Sequence, residues 1–479
     1  MRKAFCVTDC PTAKNMITLR VSLDTKPGTL RKLAAALGDA GAVVGEMDVV
    51  EKCDGSVIRR VQVVTRGDVH SQAVIAAASE VEGVTLLAVT DRVFDEHRGG
   101  KLDVNPKYPV CTCEELARAY TPGVGRVSSA IAEHPELVWD YTIKSNSVAV
   151  LSDGTAVLGL GNIGPEAAMP VMEGKAMLFK LLAGIDAYPI CVQTSGVEEL
   201  VALAKAIAPG FGGINMEDIA APECFEVERR LQAELDIPVV HDDQHGTAIV
   251  TLAAILGAAR VVGKRVEDLR VVFLGVGAAG VACIRLWQHA GISNIVGVDR
   301  GGIVVASRTD LNAEKRLVAE TTNPEGLSGD LELALRGADV FVGLSGPGLV
   351  KPEWIGAMGP DAIVFAMSNP TPEILPEELP ANVTVVATGR SDYPNQINNV
   401  LAFPGMFRGL LDARARSVSM SMKAAAARAI ADIAAADGLC AEHIMPSVFD
   451  PRVVPMVAEA VQEAAALAGL ERSTVTPVG

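Results

Sequence analysis

The chain has 479 residues, with 42 Lys and Arg against 58 Asp and Glu, which gives a formal net charge of −16 at pH 7. Hydrophobic residues make up 49% and charged residues 21%, so the sequence can fill ordinary cores and disorder over the whole chain is excluded. The acidic charge and the lack of a basic stripe argue against a nucleic-acid partner, and at about 150 residues per domain this length predicts roughly three domains.

Residues 1–95 form the first predicted domain, an α+β unit. Its apolar runs alternate with the period of strands or recur with the spacing of helices, and their order is βαββαβ, a split βαβ arrangement. Residues 91–101 are charged and contain Gly99 and Gly100, which predicts a linker. The predicted strands are 17–23, 43–51, 56–65 and 84–89, and the predicted helices are 29–39 and 69–81.

Two α/β domains and a helical end follow. Residues 102–250 and 251–425 each alternate nearly continuous apolar runs with helical segments, which predicts parallel sheets covered by helices on both faces. Residues 426–479 are rich in alanine and predict helices that pack back on these domains. The predicted strands are 148–151, 155–160, 187–193, 213–216 and 237–240 in the first sheet, and 269–274, 294–298, 338–344, 362–367 and 383–387 in the second.

Neither membrane insertion nor disulfide bonding is expected. The longest apolar run, at 248–259, is too short to span a bilayer and predicts a buried helix. The nine cysteines are scattered without zinc-site spacing, and the N-terminus lacks the apolar segment of a signal peptide. These features predict reduced thiols and a cytoplasmic protein.

A glycine motif typical of dinucleotide binding follows the strand LRVVFL, and it predicts that residues 251–425 form a Rossmann-type, doubly wound dinucleotide-binding domain. Its glycines would let the backbone approach a pyrophosphate at a helix N-terminus, and an acid at the end of the next strand would bind the ribose hydroxyls. That acid favours NAD over NADP because it would repel a 2′-phosphate, although the adjacent Arg could accept one. For the glycine motif itself, the alternative is a tight turn with only a structural role. The residues expected at the cofactor are Gly275, Gly277, Ala278, Ala279, Gly280, Asp299, Arg300 and, from a later loop, Asn369.

A second G-x-G-x-x-G match, Gly159 to Gly164, also follows a predicted strand. Pro165 and Pro170 come next, and Pro170 would interrupt a long helix. The pattern therefore favours a sharp turn that shapes a cleft over a second nucleotide loop.

Two pairs of acids stand where predicted strands end. Glu217 and Asp218 follow one strand, and Asp242 and Asp243 follow another. Ligands bind at the carboxyl ends of parallel strands, and crowded carboxylates there are the ligands that Mg²⁺ or Mn²⁺ prefers. Helix capping is the alternative role for these acids.

Histidines flank the second pair, but no H-E-x-x-H motif is present, so structural histidines are expected rather than zinc ligands.

Four further polar residues suit catalysis or substrate binding. Lys175 opens an apolar helix, where partial burial would lower its pKa and permit base chemistry; an ordinary surface Lys is the alternative. Tyr120 lies beside a Thr-Pro-Gly turn and could donate a proton or simply pack. Asn369 and Asn399 could present amides to a carboxylate or to nicotinamide, or merely form turns.

Taken together, these segments resemble the malic enzyme family, in its short bacterial form. They run in family order from about residue 105 to about residue 415 in this sequence. The resemblance implies oxidative decarboxylation of (S)-malate to pyruvate and CO₂, with NAD (NADP possible) and Mg²⁺ or Mn²⁺ as cofactors, in a homodimer or homotetramer. The matching stretches are AYTPGVGRV, VLGLGNIG, PVMEGKAMLFK, INMEDI, HDDQHGTAIV, FLGVGAAG, FAMSNPT and GRSDYPNQINNVLAFPGMFRG.

The resemblance also implies a role for each matching residue. Larger family members carry a substrate-binding Arg where this chain has Ala156, so the counter-charge is expected from Arg390 or from a Lys of a neighbouring subunit. By this resemblance the general acid is Tyr120, the general base is Lys175, the acid that positions Lys175 is Asp242, the metal ligands are Glu217, Asp218 and Asp243, and the contacts to the malate carboxylates are Asn369 and Asn399.

The first domain resembles an ACT domain, a regulatory fold that senses small molecules. The resemblance rests on a strand followed by DTKPGTL and a helix, in which Gly28 would leave room for an effector close to the loop. A module that only dimerises is the alternative. For the whole chain, the other functions to weigh are a metal-independent hydroxy- or amino-acid dehydrogenase and a catalytically inactive metabolite sensor.

Overall fold

The computed structural model describes residues 15–157, 159–194 and 196–472, and these fall into two units, before and after the Lys101–Leu102 bond. The first unit contains one sheet, and the second contains two sheets and the C-terminal helices. Leu158, within the strand predicted at 155–160, and the two ends of the chain lie outside the described residues.

The first unit is an antiparallel four-stranded sheet in the order β2-β3-β1-β4, with the predicted βαββαβ order. Alternate residues of β1, from Ile17 to Leu23, are buried, and they pack with Leu33 and Leu37 of α1. The predicted linker is wrong in its first half, because Asp91 caps a short helix there. The elements are β1 (Asn15–Asp24), α1 (Thr29–Asp39), β2 (Val43–Cys53), β3 (Ser56–Thr65), α2 (Asp68–Ser79), β4 (Val84–Asp91) and α3 (Arg92–His97).

The second unit begins with helices that lead into a parallel sheet in the order β6-β5-β7-β8. Every residue of β5, β7 and β8 is buried, as expected for a sheet covered on both faces. The elements are α4 (Cys113–Ala119), α5 (Val124–Glu133), α6 (Val138–Tyr141), β5 (Ser147–Ser152), α7 (Pro165–Ala183), β6 (Asp186–Cys191), α8 (Val197–Ile207), β7 (Gly213–Met216), α9 (Glu223–Glu234), β8 (Val239–His241) and α10 (Asp242–Val261).

Two expectations for the segment after β5 are wrong. The strand predicted at 155–160 is absent from the described residues of that stretch, because Gly154 turns the chain and the Val157 N–H donates to the Gly161 carbonyl. A Cβ on Gly154 would lie 2.2 Å from the Gly164 carbonyl oxygen, so only glycine allows this close turn. Pro170 also does not interrupt the following helix, which runs from Pro165 to Ala183 through it.

The last sheet has the order β11-β10-β9-β12-β13-β14, with only β11 antiparallel to its neighbour. Strands are added on one side of β9 up to β11 and on its other side from β12 onward, so the strand order reverses between β9 and β12. This arrangement confirms the prediction of a Rossmann-type domain. The elements are β9 (Val271–Leu274), α11 (Ala278–His289), β10 (Ile295–Asp299), β11 (Gly302–Ile303), α12 (Ala313–Thr321), α13 (Leu331–Leu335), β12 (Val340–Gly343), α14 (Pro352–Gly356), β13 (Ala362–Ala366), β14 (Val383–Thr388), α15 (Phe403–Asp412), α16 (Met420–Asp437) and α17 (Val453–Leu467).

Helix α10 joins the two sheets of the second unit and packs on α11 and α16. Its apolar run is buried as predicted, with Ala248, Ile249 and Ile255 fully covered. Among the described residues, no helix combines the length and apolar character needed to cross a membrane. The described cysteines are free thiols; Cys6 and Cys10 lie outside the described part of the chain.

Candidate active site

The site is organised around a buried ammonium group at the carboxyl edge of the first parallel sheet. Helix α7 carries Lys175, whose Nζ lies 2.5 Å from Asp242 Oδ2 and 2.9 Å from Glu217 Oε1. The same Nζ lies 4.0 Å from the centre of the Phe403 ring, within cation–π distance. The structure therefore brings together Lys175 and two acids that the sequence places on separate elements.

The expected lowering of the Lys175 pKa is wrong. Burial does lower this pKa, but the charges and hydrogen bonds of Asp242 and Glu217 outweigh burial and raise it above its ordinary value. Lys175 is consequently an ammonium group in this arrangement.

Four carboxylates converge near Lys175. Glu217 and Asp218 follow β7, whereas Asp242 and Asp243 open α10, and the Asp218 N–H donates to Asp243 Oδ2 at 2.8 Å. Burial raises the pKa of Glu217 well above its ordinary value; Lys175 opposes this rise, and the three aspartates add to it. Capping does not explain these acids, because the N-cap of α10 is His241 and that of α9 is Pro222.

The donor set fits a hard divalent cation. Glu217, Asp218 and Asp243 offer only carboxylate oxygens, which suit Mg²⁺ or Mn²⁺. The buried Oδ1 of Asp242 has no hydrogen-bond partner among the described residues, which fits a site that accepts a further donor or a cation. Within the described ranges, no three His, Cys, Asp or Glu side chains are grouped closely enough to hold an ion as they stand, and Glu217 Oε1 instead pairs with Lys175 Nζ.

Asn399 reaches this cluster from the segment before α15. Its Nδ2 donates to Asp242 Oδ2 at 3.3 Å, and its Oδ1 accepts from Thr247 Oγ1 at 3.3 Å. A Cβ on Gly246 would lie 2.1 Å from Asp242 Oδ1 and 3.2 Å from Asn399 Cγ. Glycine at 246 therefore makes room for both side chains.

The dinucleotide motif has the geometry that its glycines require. Gly275 has φ +106°, and a Cβ there would lie 2.4 Å from the Leu344 carbonyl oxygen. A Cβ on Gly280 would lie 2.0 Å from the Gly275 carbonyl oxygen, so Gly280 allows α11 to pack against the loop. Gly277 is the N-cap of α11, and no atom lies within 4 Å of the place where its Cβ would stand, so a pyrophosphate could approach the helix N-terminus there.

Asp299 ends β10 as predicted, and its carboxylate binds two cationic side chains. Arg308 Nη1 donates to its Oδ1 at 2.7 Å, and Lys315 Nζ donates to its Oδ2 at 2.6 Å. Burial would raise the pKa of Asp299, yet these hydrogen bonds hold it below its ordinary value. Arg300 is exposed and Ala279 lies in the first turn of α11.

Sequence reasoning missed Glu373, which fixes two loops at the carboxyl edge of the dinucleotide sheet. Its fully buried carboxylate accepts from Ser345 N at 2.9 Å and from Ser368 N at 3.1 Å. A Cβ on Gly343 would lie 2.5 Å from Glu373 Cδ. The only sequence signal for Glu373 is an acidic residue in the turn-like segment that follows β13, and this signal is weak.

Asn369 lies on one of these loops, next to the second glycine motif. A Cβ on Gly389 would lie 2.6 Å from Asn369 Nδ2, and one on Gly159 would lie 3.5 Å from the Asn369 carbonyl oxygen. Arg390 instead binds Asp392 through two nitrogens and donates to the Pro370 carbonyl. The structure thus places Asn369 beside Gly159 and Gly389, with the Arg390 guanidinium engaged by its neighbours.

Tyr120, the predicted general acid, is not brought into the cluster, and Ala156 offers no side-chain charge to a substrate. Tyr120 follows α4, is 67% exposed and makes no side-chain hydrogen bond within the described residues. Ala156 contributes only its backbone, whose N–H donates to the Asp218 carbonyl. Gly28, in the first unit, has φ +94° and open space where a Cβ would stand.

Comparison with known proteins agrees with this site. The family model described as malic enzyme, N-terminal domain, matches residues 99–232, and the model described as malic enzyme, NAD binding domain, matches residues 244–466. A NAD-dependent malic enzyme of Geobacillus stearothermophilus is 52% identical over 97% of both chains. A bifunctional malic/malolactic enzyme of Bacillus subtilis is 50% identical over 79% of this chain and 93% of its own.

A solved structure leads to the same family. The crystal structure of a NAD-dependent malic enzyme from Thermotoga maritima is 47% identical, with a TM-score of 0.75, over 77% of this chain and 98% of its own. The first family model includes Lys175, Glu217 and Asp218, and the second includes the dinucleotide loop, whereas β8, Asp242 and Asp243 fall between the two matched ranges. The chain therefore belongs to the malic enzyme family.

Proposed function

We propose that this protein oxidises and decarboxylates (S)-malate to pyruvate and CO₂ while reducing NAD⁺ to NADH. The observation that carries the proposal is the Lys175 ammonium shared by Asp242 and Glu217 at a carboxylate-rich sheet edge. This arrangement combines a proton carrier with a cation site, which malate oxidation requires. A metal-independent dehydrogenase would have no use for the extra carboxylates.

The chain's own residues account for substrate binding and proton movement. Asn399 and Asn369 bind the malate carboxylates, and Lys175, once neutral, takes the C2 hydroxyl proton as the C2 hydride leaves. The family resemblance gives Tyr120 the role of donating a proton to C3 of the enol that remains after CO₂ departs, although Tyr120 lies outside the Lys175 cluster in this structure. A Mg²⁺ or Mn²⁺ would be held by Glu217, Asp218 and Asp243 and would supply Lewis acidity, and NAD⁺ would supply the hydride acceptor.

Nicotinamide reduction with a chelator control tests this function. Purified protein receives malate and Mn²⁺ with NAD⁺ or NADP⁺, with and without chelator, and both reduced cofactor and pyruvate are measured. We expect chelator-sensitive reduction with one pyruvate for each NADH. Reduction without pyruvate would indicate a simple dehydrogenase, and no reduction with either cofactor would contradict the proposal.

Arg308 and Lys315, which both bind Asp299, allow the preference for NAD⁺ over NADP⁺ to be tested by one substitution. We expect Asp299→Asn to raise the ratio of kcat/KM for NADP⁺ to that for NAD⁺ by about 10- to 100-fold, because Arg308 and Lys315 then offer charge-assisted hydrogen bonds to a 2′-phosphate. Steady-state kinetics with both cofactors measures the ratio. Asp268→Asn, an exposed carboxylate before β9, is the control; an unchanged ratio in Asp299→Asn would refute the assignment.

We propose that the first unit is an ACT-like regulatory domain that binds an amino acid or acyl-type metabolite near Gly28. Its separate core supports this division, as does the Bacillus subtilis relative that matches only 79% of this chain but 93% of its own length. A chain that begins at residue 102 should keep kcat close to the full-length value and lose its response to effectors. Malate oxidation with and without candidate metabolites measures both properties. Effector responses that survive the deletion would contradict the regulatory role.

We further propose that the chain works as a homodimer or homotetramer. No residue from the start of α4 to the end of α5 is buried, and four apolar side chains in this stretch are 38–67% exposed, which is typical of a surface covered by a partner. Light scattering should give a mass of at least two chains. Val127→Glu on α5 should lower that mass, whereas Glu133→Gln at the end of α5 should not. A monomeric wild-type protein would contradict the proposal. The apolar residues are Leu116, Tyr120, Val124 and Val127.

A further inference from the structure

A buried carboxylate holds the segment that carries Asp242 and Asp243. Glu228 of α9 is 6% exposed, and its Oε1 accepts from the His241 N–H at 3.0 Å. Its Oε2 accepts from His245 Nε2 at 3.0 Å and lies 3.4 Å from Gln244 Nε2. One carboxylate therefore binds the residue before the aspartate pair and the two residues after it.

The network continues to a buried lysine of the C-terminal helices. Lys423 of α16 is 4% exposed, and its Nζ lies 2.9 Å from His245 Nδ1. An ammonium can only donate, so Nδ1 accepts and the ring of a neutral His245 donates from Nε2 to Glu228. Glu228, His245 and Lys423, which we call the Glu228 clip, form one hydrogen-bonded chain across α9, α10 and α16.

Stability alone gives a poor account of the Glu228 clip. Burying an acid and a lysine carries a desolvation cost for each charge, and well-packed apolar residues often replace such groups without loss of stability. The clip spans three helices and contacts the residues before and after the aspartate pair, whereas Lys175 binds the Asp242 carboxylate itself. These contacts fix the backbone from which both aspartates project.

We propose that Glu228 is a positioning residue that orients Asp243 for divalent metal, and that Lys423 supports it through His245. This inference rests on the proposed metal site and adds residues to it. Metal-binding carboxylates depend on outer partners that hold them in place, and loss of such a partner typically weakens metal binding about 10- to 100-fold. None of the three clip residues belongs to the proposed metal ligands.

Direct metal binding tests the proposal without turnover. Free Mn²⁺ is measured by electron paramagnetic resonance while the full-length protein is titrated, for wild type, E228Q, K423M and D243N. E228Q replaces one of the two acceptor oxygens by an NH₂ group, so the side chain can no longer accept from both the His241 N–H and the His245 ring. We expect its Mn²⁺ dissociation constant to rise about 10- to 100-fold, and that of K423M to rise in the same direction. E226Q, an exposed acid on the same helix, should bind Mn²⁺ as wild type does.

The outcomes separate a positioning role from a structural one. Unfolding of each metal-free variant is followed by circular dichroism, so that only folded protein is compared. Wild-type Mn²⁺ affinity in E228Q would overturn the proposal, even if this variant melts at a lower temperature. If E228Q does not fold, wild-type affinity in K423M would overturn it instead. D243N that binds Mn²⁺ as wild type does would show that the proposed metal site itself is wrong, and this inference would fail with it.

Discussion

Lys175→Ala should reduce kcat for malate oxidation by about 10²- to 10⁴-fold, the range that general acid–base groups contribute. The substitution removes the only cation that contacts both Asp242 and Glu217 among the described residues. Proton transfer from the C2 hydroxyl then has no carrier, while the dinucleotide loop, on another sheet, is unchanged. Initial rates of NADH formation at saturating malate and Mn²⁺ measure the loss.

A second lysine of the same helix provides the matched control. Lys180 lies on α7 and pairs with Asp186 at 2.7 Å, and its side chain is 58% exposed. Lys180→Ala should keep kcat near the wild-type value. Both variants should quench or enhance NADH fluorescence as wild type does, which shows that the cofactor domain is intact. Turnover retained in Lys175→Ala would remove Lys175 as the base.

The position of Lys175 could be predicted from the sequence, but the direction of its pKa shift could not. An apolar helix predicts burial, and burial alone lowers the pKa of a lysine. The deciding groups are Asp242, which lies 67 residues further along the chain, and Glu217 on another strand. A base role in the assembled complex requires that these negative charges be compensated. The proposed cation at Glu217 would do this.

Local sequence patterns predict the fold where structure depends on neighbouring residues, and they fail where it depends on contacts between distant residues. Buried parallel strands such as β13 are short apolar runs, so the sequence alone identifies them. The false strand at 155–160 has the same composition, but Gly154 packs against Gly164, and no local pattern predicts that contact. Likewise, Glu228 and Glu373 look like ordinary acids until tertiary contacts place backbone N–H groups on them.

Asp243→Asn should raise the Mn²⁺ concentration needed for half-maximal activity at least about 100-fold, the upper end of the loss that outer-shell partners cause. Asparagine can still accept the hydrogen bond from the Asp218 N–H, so the loop after β7 keeps its support. The substitution removes one negative charge from a site whose proposed ligands are all carboxylates. Hard divalent cations depend on that charge for their affinity.

Mn²⁺ titrations of malate oxidation measure this effect, with Asp268→Asn as an exposed carboxylate control in the same unit. Excess Mn²⁺ should restore part of the activity of Asp243→Asn, because Glu217 and Asp218 remain. Lys175→Ala should gain nothing from added metal, since its defect lies in proton transfer. This contrast separates the two roles within one cluster. An unchanged Mn²⁺ requirement in Asp243→Asn would exclude Asp243 as a ligand and would leave Glu217 and Asp218 as too few protein oxygens for the proposed site.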